Sequence, residues 1–232
     1  TVAIYDTVGG RLTAIFRAHM QPIGALSMDP SGTLLLTAAL DGHDFNIYQI
    51  SPSPEASDDI YASHIHLYTL TRGVTDAVVS SVAWSLDSRW LGVCTARGTT
   101  HIYAINPRRG GGTSIHTHLL HTVHGRDAFH LPNHRPPLTS LSVIARIRQS
   151  YRPTPSPGND RLAYQATVAA RFVSQSGDDH QFLLATPAAT CLEYDLHPRP
   201  PLQSEVNVDW RTLCLDVTPR AELDLCRQSD WQ

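Results

Sequence analysis

Apolar and polar positions alternate in short runs along most of the chain, and two longer segments repeat the same order of runs. Residues Met28–Tyr48 and Trp84–Tyr103 each contain an apolar strand, a polar turn, an apolar strand, a glycine turn and a further apolar strand. Alternation with a period of two is typical of β-strands with one buried face. A repeated sheet unit buries its faces by stacking on its neighbours, so the pattern predicts an all-β fold and favours a β-propeller.

The same alternation locates further strands on both sides of the two repeats. A hairpin is predicted from Val2–Tyr5 and Ala14–Phe16, with its turn at Val8-Gly9-Gly10. Two blades follow, with strands predicted at Ile23–Met28, Leu34–Ala38, Asn46–Ile50 and His64–Leu70, and then at Val78–Trp84, Trp90–Thr95 and Thr100–Ile105. Strand character returns at Leu138–Ile147, and a third unit is predicted from Leu162–Phe172, Phe182–Ala185 and Cys191–Leu196.

Segments rich in proline, serine or glycine predict long loops near residues 51–62, 106–137 and 151–160. About three propeller blades are expected within residues 1–208, and 209–232 is expected to be a tail or the start of a following domain. A closed propeller of this kind has about seven blades. We expect the chain to be the C-terminal part of a seven-bladed ring, cut from a longer protein, since it begins with Thr1.

Composition limits the classes of partner. The chain has 232 residues, 41% of them hydrophobic, and a formal net charge of −3. It is long enough for a substantial core but has no overall attraction to nucleic acid or to an anionic membrane, so any anion must be recognised locally. The four cysteines lack CxxC spacing, which fits a reducing compartment. No apolar run approaches the roughly 20 residues of a transmembrane helix.

Catalytic chemistry is not indicated by the sequence. A catalytic site would need a nucleophile with its base, paired acids in a cleft, or a metal. Gly110-Gly111-Gly112 lacks the Lys-Ser/Thr partner of a phosphate-binding loop, and no serine lies in a G-x-S-x-G elbow. The histidines of the 106–137 loop have no cysteine or carboxylate ligand pattern beside them, so we expect no metal and no cofactor. The scattered arginines form no stripe for nucleic acid.

Several segments resemble one known family. They are Ala18-His19 with Pro22, DPSGTLLLTA at 29–38, Ser63–Val78, RGTTHIY at 97–103 and Phe182–Leu196. They are similar to the WD-repeat propellers of the breast-carcinoma-amplified-sequence-three family, relatives of the autophagy propellers that bind polyphosphoinositides, the PROPPINs. Residues Asp224–Trp231 also resemble the start of the domain that follows the propeller in that family.

This resemblance implies a cytoplasmic, non-catalytic adaptor of autophagy. Such a protein would be recruited peripherally to forming autophagic membranes by phosphatidylinositol 3-phosphate or a related phosphoinositide, and other autophagy proteins would be its partners. An alternative remains open, in which the propeller is a scaffold that binds only proteins and has lost its lipid pocket. In that case Arg72 is expected to point into the core or to pair with Asp76.

The resemblance also implies a binding site. PROPPINs carry two adjacent arginines in a Phe-Arg-Arg-Gly motif, which point into separate pockets on neighbouring blades. The corresponding residues here are Leu70-Thr71-Arg72-Gly73, so one arginine is missing. The preceding blade departs from the family pattern at Ala39, Gly42-His43 and Asn46.

The following blade keeps the family pattern better. It supplies Thr95, Gly98-Thr99 and His101. We therefore expect one surviving pocket, in which phosphate oxygens are bound by Arg72, Thr95, Thr99 and His101.

The loop at 106–137 carries six histidines and the apolar pair Leu119 and Leu120. It is either a second membrane contact or an unstructured insertion.

Overall fold

The computed structural model describes residues 1–50, 64–106, 138–149, 168–187, 189–202 and 212–224. Within these ranges the chain forms fifteen β-strands. They are arranged in one sheet of two strands, one of five and two of four. The loops predicted near residues 51–62 and 151–160, and nearly all of the loop at 106–137, lie outside the described residues.

The N-terminal hairpin is formed by β1 (Val2–Tyr5) and β2 (Leu12–Phe16), as predicted. The carboxylate of Asp6 closes its turn by accepting hydrogen bonds from the backbone N–H groups of Val8 and Gly9, both at 3.0 Å. The hairpin packs against the next sheet through a core that includes Phe16 and Tyr48. It therefore occupies the position of part of a preceding blade.

The first blade is an antiparallel meander of four strands. They are β3 (Ile23–Met28), β4 (Leu34–Ala39), β5 (Asp44–Ile50) and β6 (His64–Thr71). The turn between β3 and β4 is formed by Asp29-Pro30-Ser31-Gly32, residue types that are typical of tight turns. The buried Asp29 carboxylate holds this turn by accepting from the backbone N–H groups of Thr33 and Leu34 at 2.9 and 2.8 Å.

The second blade repeats this arrangement with β7 (Val79–Trp84), β8 (Trp90–Thr95) and β9 (Thr99–Ala104). Its turns copy those of the first blade. The N–H of Gly32 donates to the Asp29 carbonyl at 3.0 Å, and the N–H of Ser88 donates to the Ser85 carbonyl at the same distance. Gly32 and Ser88 both have positive φ, 72° and 59°. The repeat seen in the sequence is therefore a repeat of structure.

The third blade consists of β12 (Ala169–Ser176), β13 (Asp179–Ala185), β14 (Thr190–Arg199) and β15 (Cys214–Asp224). The expectation that residues 209–232 form a tail or a new domain is wrong for Cys214–Asp224. These residues pair with β14 over its whole length and complete the sheet. The sequence did not reveal this because β15 is separated along the chain from its partner strand, so no local pattern links the two. The wider domain division stays a prediction.

The strand character predicted at Leu138–Ile147 belongs to two separate strands. β10 (Thr139–Ser142) pairs in parallel with β6, and β11 (Ala145–Arg148) pairs antiparallel with β9. We call Thr139–Arg148 the rim strap, because it runs along the outer edge of the first sheet and then of the second. The apolar alternation continues through both strands, so it gave no sign of the change of sheet.

Adjacent sheets stack face to face, as in a propeller. The core between the first and second sheets includes Phe45, Leu70 and Tyr103, and the core between the second and third includes Trp90 and Phe182. Burial of a large apolar side chain contributes roughly 1.5–3 kcal/mol. Hydrogen bonds also join the inner strands, from Trp84 Nε1 to Ser27 Oγ at 3.2 Å and from the N–H of Ala170 to Ser81 Oγ at 3.1 Å.

Candidate functional site

Arg72 follows β6 directly and lies at the seam between the first and second sheets. Its Nε donates to the carbonyl of Gly42, in the turn between β4 and β5, at 2.5 Å. The same two turns are also joined by hydrogen bonds from the Arg72 N–H to the His43 carbonyl at 3.0 Å and from the Ala77 N–H to the Asp41 carbonyl at 2.8 Å. These hydrogen bonds therefore fix the position of the Arg72 main chain, from which the side chain extends.

Not all nitrogens of the Arg72 guanidinium form hydrogen bonds within the described part of the protein. Its Nη2 atom is buried and has no hydrogen-bond partner among the described residues. Burial lowers the pKa of Arg72, while the Asp76 and Asp41 carboxylates act in the opposite direction. Asp76 itself pairs with His43, at 2.7 Å between Nε2 and Oδ1. Arg72 is thus neither fully inside the core nor paired with Asp76 in the way that the scaffold alternative predicts.

The second sheet contributes two buried polar side chains to this seam. His101 and Tyr103 are alternate residues of β9, so they point to the same face, and Tyr103 packs against Phe45 of the first sheet. His101 Nδ1 and Tyr103 Oη are buried and, within the described part of the chain, accept and donate no hydrogen bond. Together with Arg72 Nη2, these atoms give the seam three buried polar groups with unused hydrogen-bonding capacity.

The electrostatics support this placement. Burial, and then the charges of Arg72 and Arg146, lower the pKa of His101 to about 4. Burial raises the pKa of Tyr103, and the same two arginines partly offset that rise. Two cations therefore act on the same two buried groups. His101 is neutral at pH 7 unless an anion joins it.

The two threonines of the predicted site, Thr95 and Thr99, differ in burial and in hydrogen bonding. Thr95 is 1% exposed, and its hydroxyl donates to the Thr99 carbonyl at 3.1 Å, closing the turn between β8 and β9. A hydroxyl has one hydrogen to donate, so Thr95 mainly supports this turn. Thr99 is half-buried and lies two residues before His101 on β9, hence on the same face.

Arg146 was not among the residues selected from the sequence. It lies on β11, directly opposite His101 in the β9–β11 register, and is exposed. The alternation of Arg146 and Arg148 with Ala145 and Ile147 was visible as a strand pattern. It could not show which strand would be its partner, and that pairing is what brings Arg146 to the seam.

A second pocket would lie on the preceding blade, and its surroundings are acidic. A cavity of about 180 Å³ is lined there by His19, Met20, Gln21, Ala39, Asp41, His43 and Asp44. Asn46 is used inside the sheet, where its Nδ2 donates to the Ala18 carbonyl at 3.0 Å. Two carboxylates and no arginine line this cavity, so it does not suit an anion.

Among the residues that the structure describes, no cluster of three or more His, Cys, Asp or Glu side chains could hold a metal ion. The same part of the chain contains no helix that is long and apolar enough to cross a membrane.

The stacked antiparallel sheets and their repeated turns define a WD-repeat β-propeller, here as three blade sheets and a hairpin. Residues 3–131 match the family model described as BCAS3, WD40 repeat, which is more than half of the 232 residues. The chain therefore belongs to the BCAS3 WD40-repeat family. This confirms the fold class and the family expected from the sequence.

Two named relatives and one solved structure are also similar to this chain. Autophagy-related protein 18g of Arabidopsis thaliana is 30% identical over 99% of this chain and 29% of its own length. WD repeat domain phosphoinositide-interacting protein 2 of Xenopus laevis is 33% identical over 45% of this chain and 22% of its own length. The structure of Kluyveromyces lactis Hsv2p matches with a TM-score of 0.55 at 12% identity, over 91% of this chain and 50% of that one. The chain thus spans less than a third of either relative and half of the solved propeller.

Proposed function

We propose that this protein is a non-catalytic adaptor that binds phosphatidylinositol 3-phosphate, or a related phosphoinositide, on autophagic membranes. The anion would bind at the seam formed by Arg72, His101 and Thr99. The observation that carries the proposal is the set of three buried polar atoms without partners at this seam, Arg72 Nη2, His101 Nδ1 and Tyr103 Oη. Each such buried atom costs roughly 1–3 kcal/mol while it lacks a hydrogen bond.

A phosphate group suits these atoms chemically. It brings several acceptor oxygens and a negative charge, and a guanidinium binds it through charge-assisted hydrogen bonds. Nε of Arg72 is held by Gly42, so the Nη atoms would provide the contacts. A phosphate would also offset the repulsion that Arg72 exerts on a protonated His101, so the imidazole could then donate as a cation.

The expected affinity of this single pocket is modest. One charge-assisted hydrogen bond contributes roughly 1.5–3 kcal/mol, and Asp41 and Asp76 lie close enough to act on Arg72. We expect a dissociation constant for the soluble headgroup between about 1 μM and 1 mM. Stable residence on a membrane would then need a second contact, for which the segment predicted as a loop at 106–137 is the candidate.

The names of the relatives support the biological setting. One is an autophagy-related protein and another is named phosphoinositide-interacting. We extend these properties to this chain as part of the proposal, together with peripheral recruitment from the cytoplasm and partnership with other autophagy proteins.

Vesicle flotation tests the proposal. Neutral vesicles, with and without phosphatidylinositol 3-phosphate, are mixed with the wild-type chain, with Arg72→Ala and with Arg171→Ala, which removes an exposed arginine from β12. The wild type and Arg171→Ala should float only with the phosphoinositide, and Arg72→Ala should float about tenfold less. Equal flotation of all three proteins would rule out this pocket.

The second candidate is a scaffold that binds only proteins. It is favoured by the hydrogen bond from Arg72 Nε to the Gly42 carbonyl, because this bond gives Arg72 a structural role in joining two turns. On this alternative the wild type does not float with either vesicle, and Arg72→Ala lowers the free energy of unfolding without changing lipid binding. Flotation of the wild type with phosphoinositide vesicles therefore separates the two functions, because the loss of stability in Arg72→Ala is expected under both.

A further inference from the structure

The rim strap crosses the seam at the proposed anion site. β10 runs parallel to β6, and its last residue, Ser142, lies opposite Thr71, the residue before Arg72. After a bend at 143–144 the chain continues as β11, where Arg146 lies opposite His101. One short segment therefore pairs with the strand that directly precedes Arg72 and with the strand that carries His101.

The strap is held firmly along its length. Leu141 is buried in the core between the first and second sheets, and Ile147 in the core between the second and third. The N–H of Ile144 donates to the Ile102 carbonyl at 2.9 Å, and just after the strap the buried Gln149 donates from Nε2 to Thr100 Oγ1 at 2.8 Å. Arg146 therefore has a fixed backbone position.

The direction of the Arg146 side chain follows from its neighbours. Ala145 and Ile147 pack toward the third sheet. Side chains alternate along a strand, so Arg146 points to the opposite face, the one on which its cross-strand partner His101 lies. Its exposed guanidinium nevertheless acts on the buried His101 and Tyr103, as that of Arg72 does.

We infer that Arg146 is the second cation of the anion site and binds the same phosphorylated headgroup as Arg72. This inference rests on the proposed function. It assigns a binding residue from outside the Leu70-Thr71-Arg72-Gly73 motif, in a chain whose motif retains a single arginine. A headgroup phosphate carries more than one negative charge, so two guanidinium groups can share it and reduce their mutual repulsion.

Calorimetry with soluble inositol 1,3-bisphosphate tests the residue without a membrane. The proteins are the wild-type chain, Arg72→Ala, Arg146→Ala, Arg146→Lys and the control Arg171→Ala. We expect Arg146→Ala to weaken binding about fivefold to tenfold, and Arg146→Lys to keep most of the affinity because it keeps the charge. A parallel series with phosphatidylinositol 3-phosphate vesicles, and competition by inorganic phosphate, separates a lipid ligand from a free one.

The outcomes are distinct. If Arg72→Ala loses binding and Arg146→Ala binds as the wild type does, Arg146 is excluded and the proposed function stands. If the wild type binds neither the soluble headgroup nor the vesicles, both ideas fail.

A measurement without ligand checks the geometry. Arg146→Ala should raise the pKa of His101, followed by NMR of its imidazole, whereas Arg171→Ala should not. An unchanged titration in Arg146→Ala would contradict the placement of this guanidinium.

Discussion

Arg72 donates from Nε to the carbonyl of Gly42 at 2.5 Å, so the candidate ligand-binding residue and a turn of the first sheet form one unit. Gly42 has a φ of +61°, and a Cβ at this position would overlap the Ala77 carbonyl oxygen. The turn that carries Arg72 can therefore approach the turn at 40–43 only because residue 42 has no side chain.

Replacement of Gly42 by alanine should disrupt this contact. Alanine would combine an unfavourable backbone conformation with a clash against backbone, and we expect the free energy of unfolding to fall by about 3 kcal/mol or more. Gly32 is the matched control, since its φ is +72° and nothing lies within 4 Å of a Cβ there. Gly32→Ala should cost only about 1–2 kcal/mol. Urea unfolding measures both, and equal losses would mean that the close approach is unimportant.

Asp76 should weaken anion binding, because its charge acts on Arg72. Asp76→Asn removes that charge from a largely exposed position, so we expect the affinity for inositol 1,3-bisphosphate to rise only about twofold. The gain should shrink at high salt, where exposed charges are screened.

Asp179→Asn is the matched control for that substitution. Asp179 is also an exposed partner of a histidine, His197, at 3.0 Å, but it lies on the third sheet. The control should leave the affinity unchanged. An equal gain in both variants would indicate a general effect of net charge instead of a local one.

Local features of this fold were predictable, and features that depend on strand partners were not. The turn at Asp29-Pro30-Ser31-Gly32 is specified within a few residues, because the Asp29 side chain bonds to its own turn. The split of Leu138–Ile147 into β10 and β11 depends on which sheet edges lie nearby.

The same distinction applies to the candidate site. Arg72 and His101 were selected from motifs, and the structure brings them to one seam, although their binding role stays a prediction. Arg146 was missed because its pairing with His101 joins strands that are distant in sequence. The hydrogen bond from the Thr95 hydroxyl to the Thr99 carbonyl could likewise not be predicted without the turn geometry.

Asp87 should be a major contact between the second and third blades. Burial opposes its ionisation, but interactions with His180, Ser85 and Arg89 together hold its pKa well below the usual value. Its carboxylate lies 2.6 Å from Nε of the buried Arg89 and 3.6 Å from His180 Nε2. Asp87→Ala would leave Arg89 without this partner, and we expect a loss of about 3 kcal/mol in the free energy of unfolding.

Asp178→Ala provides the comparison for Asp87. Asp178 lies 3.6 Å from Arg89 Nη2 but is about half exposed, so its loss should cost less than about 1 kcal/mol. Because the folded pKa of Asp87 is depressed, its contribution is present above about pH 4 and is lost as the pH falls further. Similar losses for the two alanine variants at pH 7 would argue against a special role for Asp87.

His101 should make the protein less stable in mild acid. Its pKa is about 4 in the folded chain and about 6.5 when unfolded. The unfolded state therefore binds the extra proton first as the pH falls below 6.5, and the free energy of unfolding should decrease by about 1.4 kcal/mol per pH unit down to about pH 4. Burial lowers the pKa of His19 and His66 as well, so they add losses of the same sign.

The variant His101→Gln isolates the contribution of the His101 imidazole to this acid-induced loss of stability. Urea unfolding at pH 7 and pH 5 should show a decrease that is smaller in His101→Gln than in the wild type by about 2 kcal/mol. Between pH 8 and pH 7 His101 is largely neutral in both states, so the stability of the two proteins should change almost equally there. If their stability falls in parallel down to pH 5, His101 is not held neutral at the seam, and the electrostatic link between Arg72, Arg146 and this imidazole would be lost with it.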